Sequence, residues 1–352
     1  MTGKGYMQWG LEFDMKILSD ISECLGKGIG EIISNYLTAP RKYKEFKIKK
    51  RNGGFRQISQ PSKEIKNYQY AIISKVLNEL PIHDAATAYR NKKSIYHNAL
   101  PHKDSAWILK LDFKNFFHSI RPEHLKSYLT EAYEEISSIE IDILNHYLFW
   151  MDKTDRKLKL SIGAPSSPII SNIIMLKFDN AVSDICSKHD VNYTRYADDL
   201  TLSAQSKESL EKAEEELKAL VEETQTPFLI LNDKKRVLIG NNQSKRVTGV
   251  VITHENKLSV GRHKRKKVRA MLHLYVNEKL EKKDIPVLNG LLSYIKSIEL
   301  EYYLSLKDKY GDVVFSKLSL ESFSISGMLK KPEEENGSIE KQNEDFDDDI
   351  AF

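Results

Sequence analysis

Apolar positions along this chain either alternate with polar ones or recur at helical spacing, and each change of period marks an element. Ile17, Leu18, Ile21 and Leu25 recur every three or four residues, so residues 1–45 are predicted to be helical and amphipathic. Phe46 to Ile58 reads as a β-hairpin around Asn52-Gly53-Gly54, with basic side chains clustered at its tip from Lys49, Lys50 and Arg51 to Arg56. A helix is predicted from about Ile65 to Leu80, stopped by Pro81. The run Trp107-Ile108-Leu109-Lys110-Leu111-Asp112-Phe113 is apolar and strand-like, and a helix signal at Arg121-Pro122-Glu123 opens a helical stretch to roughly Phe149. Strands are predicted at Val191–Arg195 and Leu200–Ala204, then a charged amphipathic helix over Lys207–Glu223. Short strands near Phe228–Leu231, Arg236–Ile239 and Val247–Ile252 are expected to close the central unit, and the period is helical from Arg262 to about Leu329. No internal repeat is present.

A length of 352 residues fits two to three average domains or one enzyme with subdomains. With 40% apolar and 30% charged residues, the composition is that of a soluble globular protein. No apolar stretch approaches the ~18 residues of a membrane span, so no membrane partner is expected. The N-terminus lacks a basic-then-apolar leader, so export is not expected either. Cys24 and Cys186 are the only cysteines, too few for a disulfide framework or a cysteine zinc site, which points to a reducing cytoplasm. Charge changes the picture more. From Pro332 onward there are nine acids against the single base Lys341, a composition expected to be disordered. The rest of the chain carries 53 basic and 41 acidic residues, a net of +12 that suits a polyanionic partner.

Adjacent acids are common in a chain with 50 acidic residues, but Asp198-Asp199 lies between two β-prone segments, where an uncompensated charge is costly to bury. A metal ion is the usual compensation. Asp112, ending its own apolar run, supplies a third carboxylate for a two-metal site, with ions about 3.5–4 Å apart. Oxygen-only ligands favour Mg2+, with Mn2+ as the alternative, over zinc. Between these acids, Ile162-Gly163-Ala164-Pro165-Ser166-Ser167-Pro168 puts small residues and prolines at a helix start, where the backbone can approach a flat ligand closely. Arg262-His263-Lys264-Arg265-Lys266-Lys267-Val268-Arg269 places six positive charges at another helix start, against the helix dipole, so an anionic partner explains it better than helix stability does.

Taken in order, strand-Asp112, the Gly163 loop and Tyr196-Ala197-Asp198-Asp199 resemble the palm of reverse transcriptases over about Lys47 to Ile252. Asn98-Ala99-Leu100-Pro101-His102 and Val247-Thr248-Gly249 resemble two strings of the bacterial retron enzymes within that family. The resemblance implies an α+β right-hand fold: an N-terminal helical segment (1–45), fingers (46–105), an antiparallel-sheet palm (106–255) with inserted finger helices (about 114–165), a helical thumb that binds RNA (256–329) and an acidic tail (330–352). It implies Asp112, Asp198 and Asp199 as catalytic metal ligands and Phe117 as the ring that blocks a nucleotide's 2′-hydroxyl, though core packing would also explain that ring. Phe113 and Gly163 would line the nucleotide, Lys235 would serve the leaving pyrophosphate, and Arg56, or else Lys49 or Lys50, would hold the triphosphate. At Ile162 many relatives carry glutamine, which removes a side-chain contact to the sugar. Asn98 and His102 would position RNA or brace the palm, while Lys264, Arg265, Lys266 and Lys267 would grip an RNA stem-loop. Implied partners are dNTPs, a cognate structured noncoding RNA, its branched msDNA product primed from a guanosine 2′-hydroxyl, and an antiphage effector protein. Other bacterial reverse transcriptases, intron-encoded or abortive-infection, and a non-catalytic RNA-binding scaffold remain the alternatives.

Overall fold

The structure is a computed structural model that describes residues 15–50, 53–240 and 242–329. The expected helical start before Met15, Arg51 at the hairpin tip and the acidic tail lie outside these residues.

Two short helices, α1 (Lys16–Leu25) and α2 (Ile29–Asn35), are separated at Gly26, whose φ of 62° ends the first. Strands β1 (Tyr43–Lys49) and β2 (Phe55–Pro61) form the expected hairpin, which extends further at its base than the alternation suggested. Helix α3 (Lys63–Lys75) starts at Ser62, whose hydroxyl accepts from Ile65 N at 3.3 Å. It ends sooner than the pattern predicts and passes into a 3-10 turn over Leu77–Glu79. Helix α4 (Ile95–Ala99) leads to β3 (Trp107–Asp112). The helical stretch after it is three pieces, α5 (Phe116–Ser119), α6 (Pro122–Ala132) and α7 (Ser138–Leu148). A capping box between Ser137 and Glu140 begins α7. The same buried Glu140 accepts from Leu18 N at 3.3 Å, tying α1 to this layer.

A two-residue ribbon, β4 (Trp150–Met151) with β5 (Leu158–Lys159), precedes α8 (Ser167–Ile174) and α9 (Leu176–Lys188). Then come β6 (Asn192–Tyr196), β7 (Asp199–Ala204), α10 (Lys207–Glu223) and β8 (Val237–Ile239). The central sheet is antiparallel with order β6-β7-β3-β8, and its register sets Asp112 opposite Asp199. The remaining strands, β9 (Lys245–Val247), β10 (Val250–Ile252) and β11 (Leu258–Ser259), form a second sheet. Helices α11 (Arg262–Val276), α12 (Ile285–Ile298), α13 (Leu300–Tyr310) and α14 (Asp312–Leu329) complete the chain.

Two expectations are corrected. Phe228–Leu231 is extended with alternating burial but forms no strand: it meets its neighbours only through isolated bridges, Phe113 with Leu231 and Gln225 with Phe228. Pro227, lacking an N–H, precedes it and cannot extend a ladder. Val247–Ile252 is two strands of the second sheet rather than one strand of the central unit. The chain reverses at Thr248 (φ 44°) and Gly249 (φ 81°), the two positive angles of a tight hairpin turn.

Burial follows this division. One apolar cluster runs from α1 through α3, α6 to α10 and the inner face of the central sheet. A second gathers the β9–β11 sheet with α11 to α14, touching the central sheet at Ile108 and Ile239. Among the described residues, no helix is long and apolar enough to cross a membrane.

Candidate active site

The three acids meet at one end of the central sheet. Asp112 is the last residue of β3, Asp199 the first of β7, and Asp198 occupies the two-residue turn between β6 and β7. One carboxylate oxygen from each lies within 4.8 Å of the others. Ala197 takes φ 56° at the turn, as a tight hairpin demands of its first central residue.

Burial first, then the neighbouring acids, pushes Asp199 up to about 7. Asp198 is raised too, by burial and then by Asp112, with Lys235 and Arg56 offsetting part of it. Such carboxylates are held close against their own repulsion, the arrangement a divalent cation relieves. The donor set, three carboxylates and no nitrogen or sulfur, fits a hard metal ion.

Lys235 Nζ donates to Asp112 Oδ2 at 2.6 Å, and Asn232 Nδ2 to Asp112 Oδ1 at 3.3 Å. Burial alone would lower Lys235, but the Asp112 hydrogen bond and the surrounding acids hold it above its ordinary value. Lys235 therefore stands at the acids as a fixed cation. Among the described cations of the β1–β2 hairpin, Arg56 is the one whose charge bears on Asp198; it is exposed on β2.

Phe117 is half-buried, edge-to-face on Phe116 with centroids 5.6 Å apart. Phe113 is placed differently from the expectation. It is 2% exposed, packed on Phe116 and Phe178, so its ring cannot line a nucleotide. Side chains alternate along a strand, and Asp112 already takes the face toward the site. Gly163, at φ 118°, serves a close approach inside the protein: a Cβ there would come within 3.0 Å of Ile58 Cγ2. The preceding Ile162 carbonyl accepts from Ser59 N at 2.9 Å, so this loop locks onto β2.

Asn98 and His102 are both fully buried, which leaves them no surface to offer RNA and makes them braces. The His102 ring sits between Ser203 Oγ (2.7 Å) and Thr194 Oγ1 (2.8 Å), joining β7 to β6, and burial lowers it to about 3, so it stays neutral. Asn98 accepts from Thr87 Oγ1 at 2.8 Å and donates to Thr248 Oγ1 at 3.1 Å. The two strings that resemble retron enzymes thus touch each other across the chain. On α11, Lys264 lies over the Tyr294 ring, and Arg265 pairs with Glu299 at 2.7 Å and stacks on Tyr302. Lys266 and Lys267 are exposed.

The sequence reading missed Arg195. Its guanidinium is fully buried and ion-paired to the equally buried Asp179 at 2.6 Å. It also donates to Asn172 Oδ1 (3.2 Å) and to the Ala197 carbonyl (3.1 Å), so it holds the acidic turn from beneath. Tyr193 completes the network, its hydroxyl donating to Asp179 Oδ1 at 2.7 Å. The available signal was an arginine inside a β-prone run, as costly to bury as the acids that drew attention.

Comparison with known proteins agrees with this geometry. The model of the family "Reverse transcriptase (RNA-dependent DNA polymerase)" matches residues 48–252. The retron Ec83 reverse transcriptase of Escherichia coli is 38% identical over 288 residues, covering 81% of this chain and 91% of that protein. The retron Ec86 reverse transcriptase of Escherichia coli is 30% identical over 308 residues, covering 84% and 91%. The retron Mx65 reverse transcriptase of Myxococcus xanthus is 29% identical over 298 residues, covering 80% and 68%. A sheet end carrying three clustered carboxylates, inside the segment matched by the family model, is what an RNA-directed DNA polymerase requires, and this chain belongs to the reverse transcriptase family as a retron-type bacterial member.

Proposed function

We propose that this enzyme reverse-transcribes one cognate structured noncoding RNA, starting from a guanosine 2′-hydroxyl and leaving branched RNA–DNA, within an antiphage system that includes an effector protein. The observation that carries the chemistry is the Asp112–Asp198–Asp199 cluster; the retron relatives carry the choice of RNA. The bacterial cytoplasm, where such an RNA is transcribed, is the natural compartment.

Asp112 and Asp198 would hold two Mg2+ ions, or Mn2+ in their place, with Asp199 in support. When bound, these ions acidify the attacking hydroxyl and neutralise the leaving pyrophosphate. Arg56 clamps the triphosphate, and Lys235 offers positive charge or a proton to pyrophosphate as it departs. The exposed edge of Phe117 excludes a 2′-hydroxyl. Residues 46–105 act as fingers, 106–255 as palm with inserted helices at about 114–165, and 256–329 as the thumb that meets RNA, with the segments 1–45 and 330–352 flanking them.

Nucleic acid recovered with the protein expressed from its native locus is expected to contain DNA joined to RNA through a branch that a debranching enzyme cleaves. Linear DNA alone would refute the priming mode. RNA duplexes are recognised through phosphates and 2′-hydroxyls, and the exposed Lys266 and Lys267 of α11 are the contacts we assign to them. Neutralising both is expected to weaken RNA binding and to flatten the salt dependence of log K by about 1.5. Arg265 is the wrong probe because its loss would also leave Glu299, which accepts from Val260 N at 2.6 Å, without its cation. An unchanged salt slope would remove α11 from the RNA interface.

A further inference from the structure

Behind the acids, the face of the central sheet that carries them holds one more charge. Along β3, Leu109 and Leu111 belong to the first apolar cluster and Ile108 to the second. Side chains alternate along a strand, so Ile108, Lys110 and Asp112 share the other face. The register supplies their neighbours: Asp199 opposite Asp112, Thr201 and Val237 opposite Lys110, and Ile239 opposite Ile108. This face thus runs in three rows, with the acids at the sheet end, Lys110 next, and the apolar contact with the second cluster last.

Lys110 is half-buried between the buried Thr201 and Val237, which is 46% exposed. Its ammonium makes no hydrogen bond or ion pair with any described residue. A half-buried charge without a partner is costly, and a partner from outside the chain would offset that cost. The acids do not fill this role. The charge of Lys110 bears on Asp199, but Asp112 already has its cation in Lys235, at 2.6 Å. Once a divalent ion compensates the acids, an unpaired cation beside them needs an anion of its own.

Position along the sheet says which anion that is. Two strand residues span about 7 Å, so Lys110 stands roughly that far behind Asp112. The charge of Arg56 is felt at Asp198, on the turn beyond the sheet end, whereas that of Lys110 is felt at Asp199, on the sheet itself. With Arg56 on the triphosphate, the incoming nucleotide reaches the acids from the turn. That leaves the sheet face, on the side of the second sheet and α11, to the strand that attacks it. Such a strand, with its terminal hydroxyl at the acids, carries its nearest backbone phosphate less than one nucleotide back, within reach of the ammonium. A lysine takes phosphate as a point charge and reads no base, which suits an enzyme that must extend all four.

We propose that Lys110 binds the backbone phosphate nearest the 3′ end of the growing strand and so holds that strand's hydroxyl against the acids. This rests on the three acids being the site of nucleotide addition. The test is synthesis by the full chain with Mg2+, dNTPs and a DNA primer on an RNA template, read as kcat/KM for primer–template. One chosen phosphate of the primer is replaced by an uncharged methylphosphonate. Neutralising the last phosphate is expected to lower kcat/KM of the unaltered enzyme roughly tenfold, the order of a lost hydrogen bond to a charged group. Lys110→Met, which keeps the buried stem, should lose as much on the ordinary primer and no more on the neutralised one. Its KM for dNTP should stay within about twofold of the original. Lys110→Arg should keep the preference for the ordinary primer, and neutralising a phosphate several nucleotides back should act on Lys110→Met and the unaltered enzyme alike. Undiminished kcat/KM in Lys110→Met would overturn the contact. So would penalties that multiply when both changes are combined, since Lys110 would then act only by offsetting the acids. If Asp198→Asn remains active, the acid-site reading itself has failed; if Asp198→Asn is inactive and the two penalties multiply, only the Lys110 contact has.

Discussion

Asp198→Asn is expected to cost about a thousandfold or more in DNA synthesis while making the metal-free protein harder to melt. The loss follows from removing a charged ligand whose ion supplies several kcal/mol at the transition state, each 1.4 kcal/mol being worth about tenfold in rate. The gain in stability follows from the electrostatics of the cluster. Asp198 and Asp199 both have pKa values raised by burial and by neighbouring acids. A carboxyl whose folded pKa lies above its unfolded value binds its proton more tightly when folded, so stability falls as pH rises between the two values. For Asp199 that window runs from about 4 in the unfolded chain to about 7 in the fold. Above it the full penalty is present, and an uncharged asparagine at 198 relieves part of it. The measurement is a thermal melt at pH 8 in a chelator, with and without added Mg2+. The unaltered enzyme should gain stability from Mg2+ by mass action, and Asp198→Asn should gain less. Full synthesis by the variant, or a melting temperature below that of the unaltered protein, would contradict the assignment.

Asp179→Asn is the second large effect, and it lies beneath the chemistry. Asp179 and Arg195 have no exposed side-chain surface, so removing the carboxylate strands a guanidinium in the core. Breaking a buried pair from one side costs about 3–5 kcal/mol, against a total stability of roughly 5–15 kcal/mol for a typical protein. Urea unfolding should show a loss on that scale, and a loss below about 1 kcal/mol would mean the pair is compensated elsewhere. Replacing both partners by apolar residues should recover much of the stability. It should not recover activity, because the Ala197 carbonyl would then lose the guanidinium that holds its turn.

The acids were legible because charge in an apolar, β-prone run has few explanations, and the sheet register then put Asp112 opposite Asp199. Helix α10 was legible from residue to residue because Ser206 caps a strongly amphipathic run. Other features were hidden for definite reasons. Thr248 is no turn signal, since a β-branched residue seldom takes positive φ, so two strands looked like one. Phe113 looked like part of the site because it adjoins Asp112, although neighbours on a strand face opposite ways. The depth of Asn98 and His102 depends on β6, β7 and the Thr248 turn, up to 150 residues away, and no local pattern encodes it.

The bond between Asn98 and Thr248 also limits how this protein can be recombined. It is a seam with one stitch on each side: the amide before the central sheet, the hydroxyl on the turn between the first two strands of the second sheet. A chimera that takes everything after residue 245 from a relative would bring its own residue to 248 and meet an asparagine buried with no water to fall back on. Crossovers placed there should succeed only when both sides of the seam travel together, so a graft of the second sheet and its helices would have to carry the segment around Asn98 along with it.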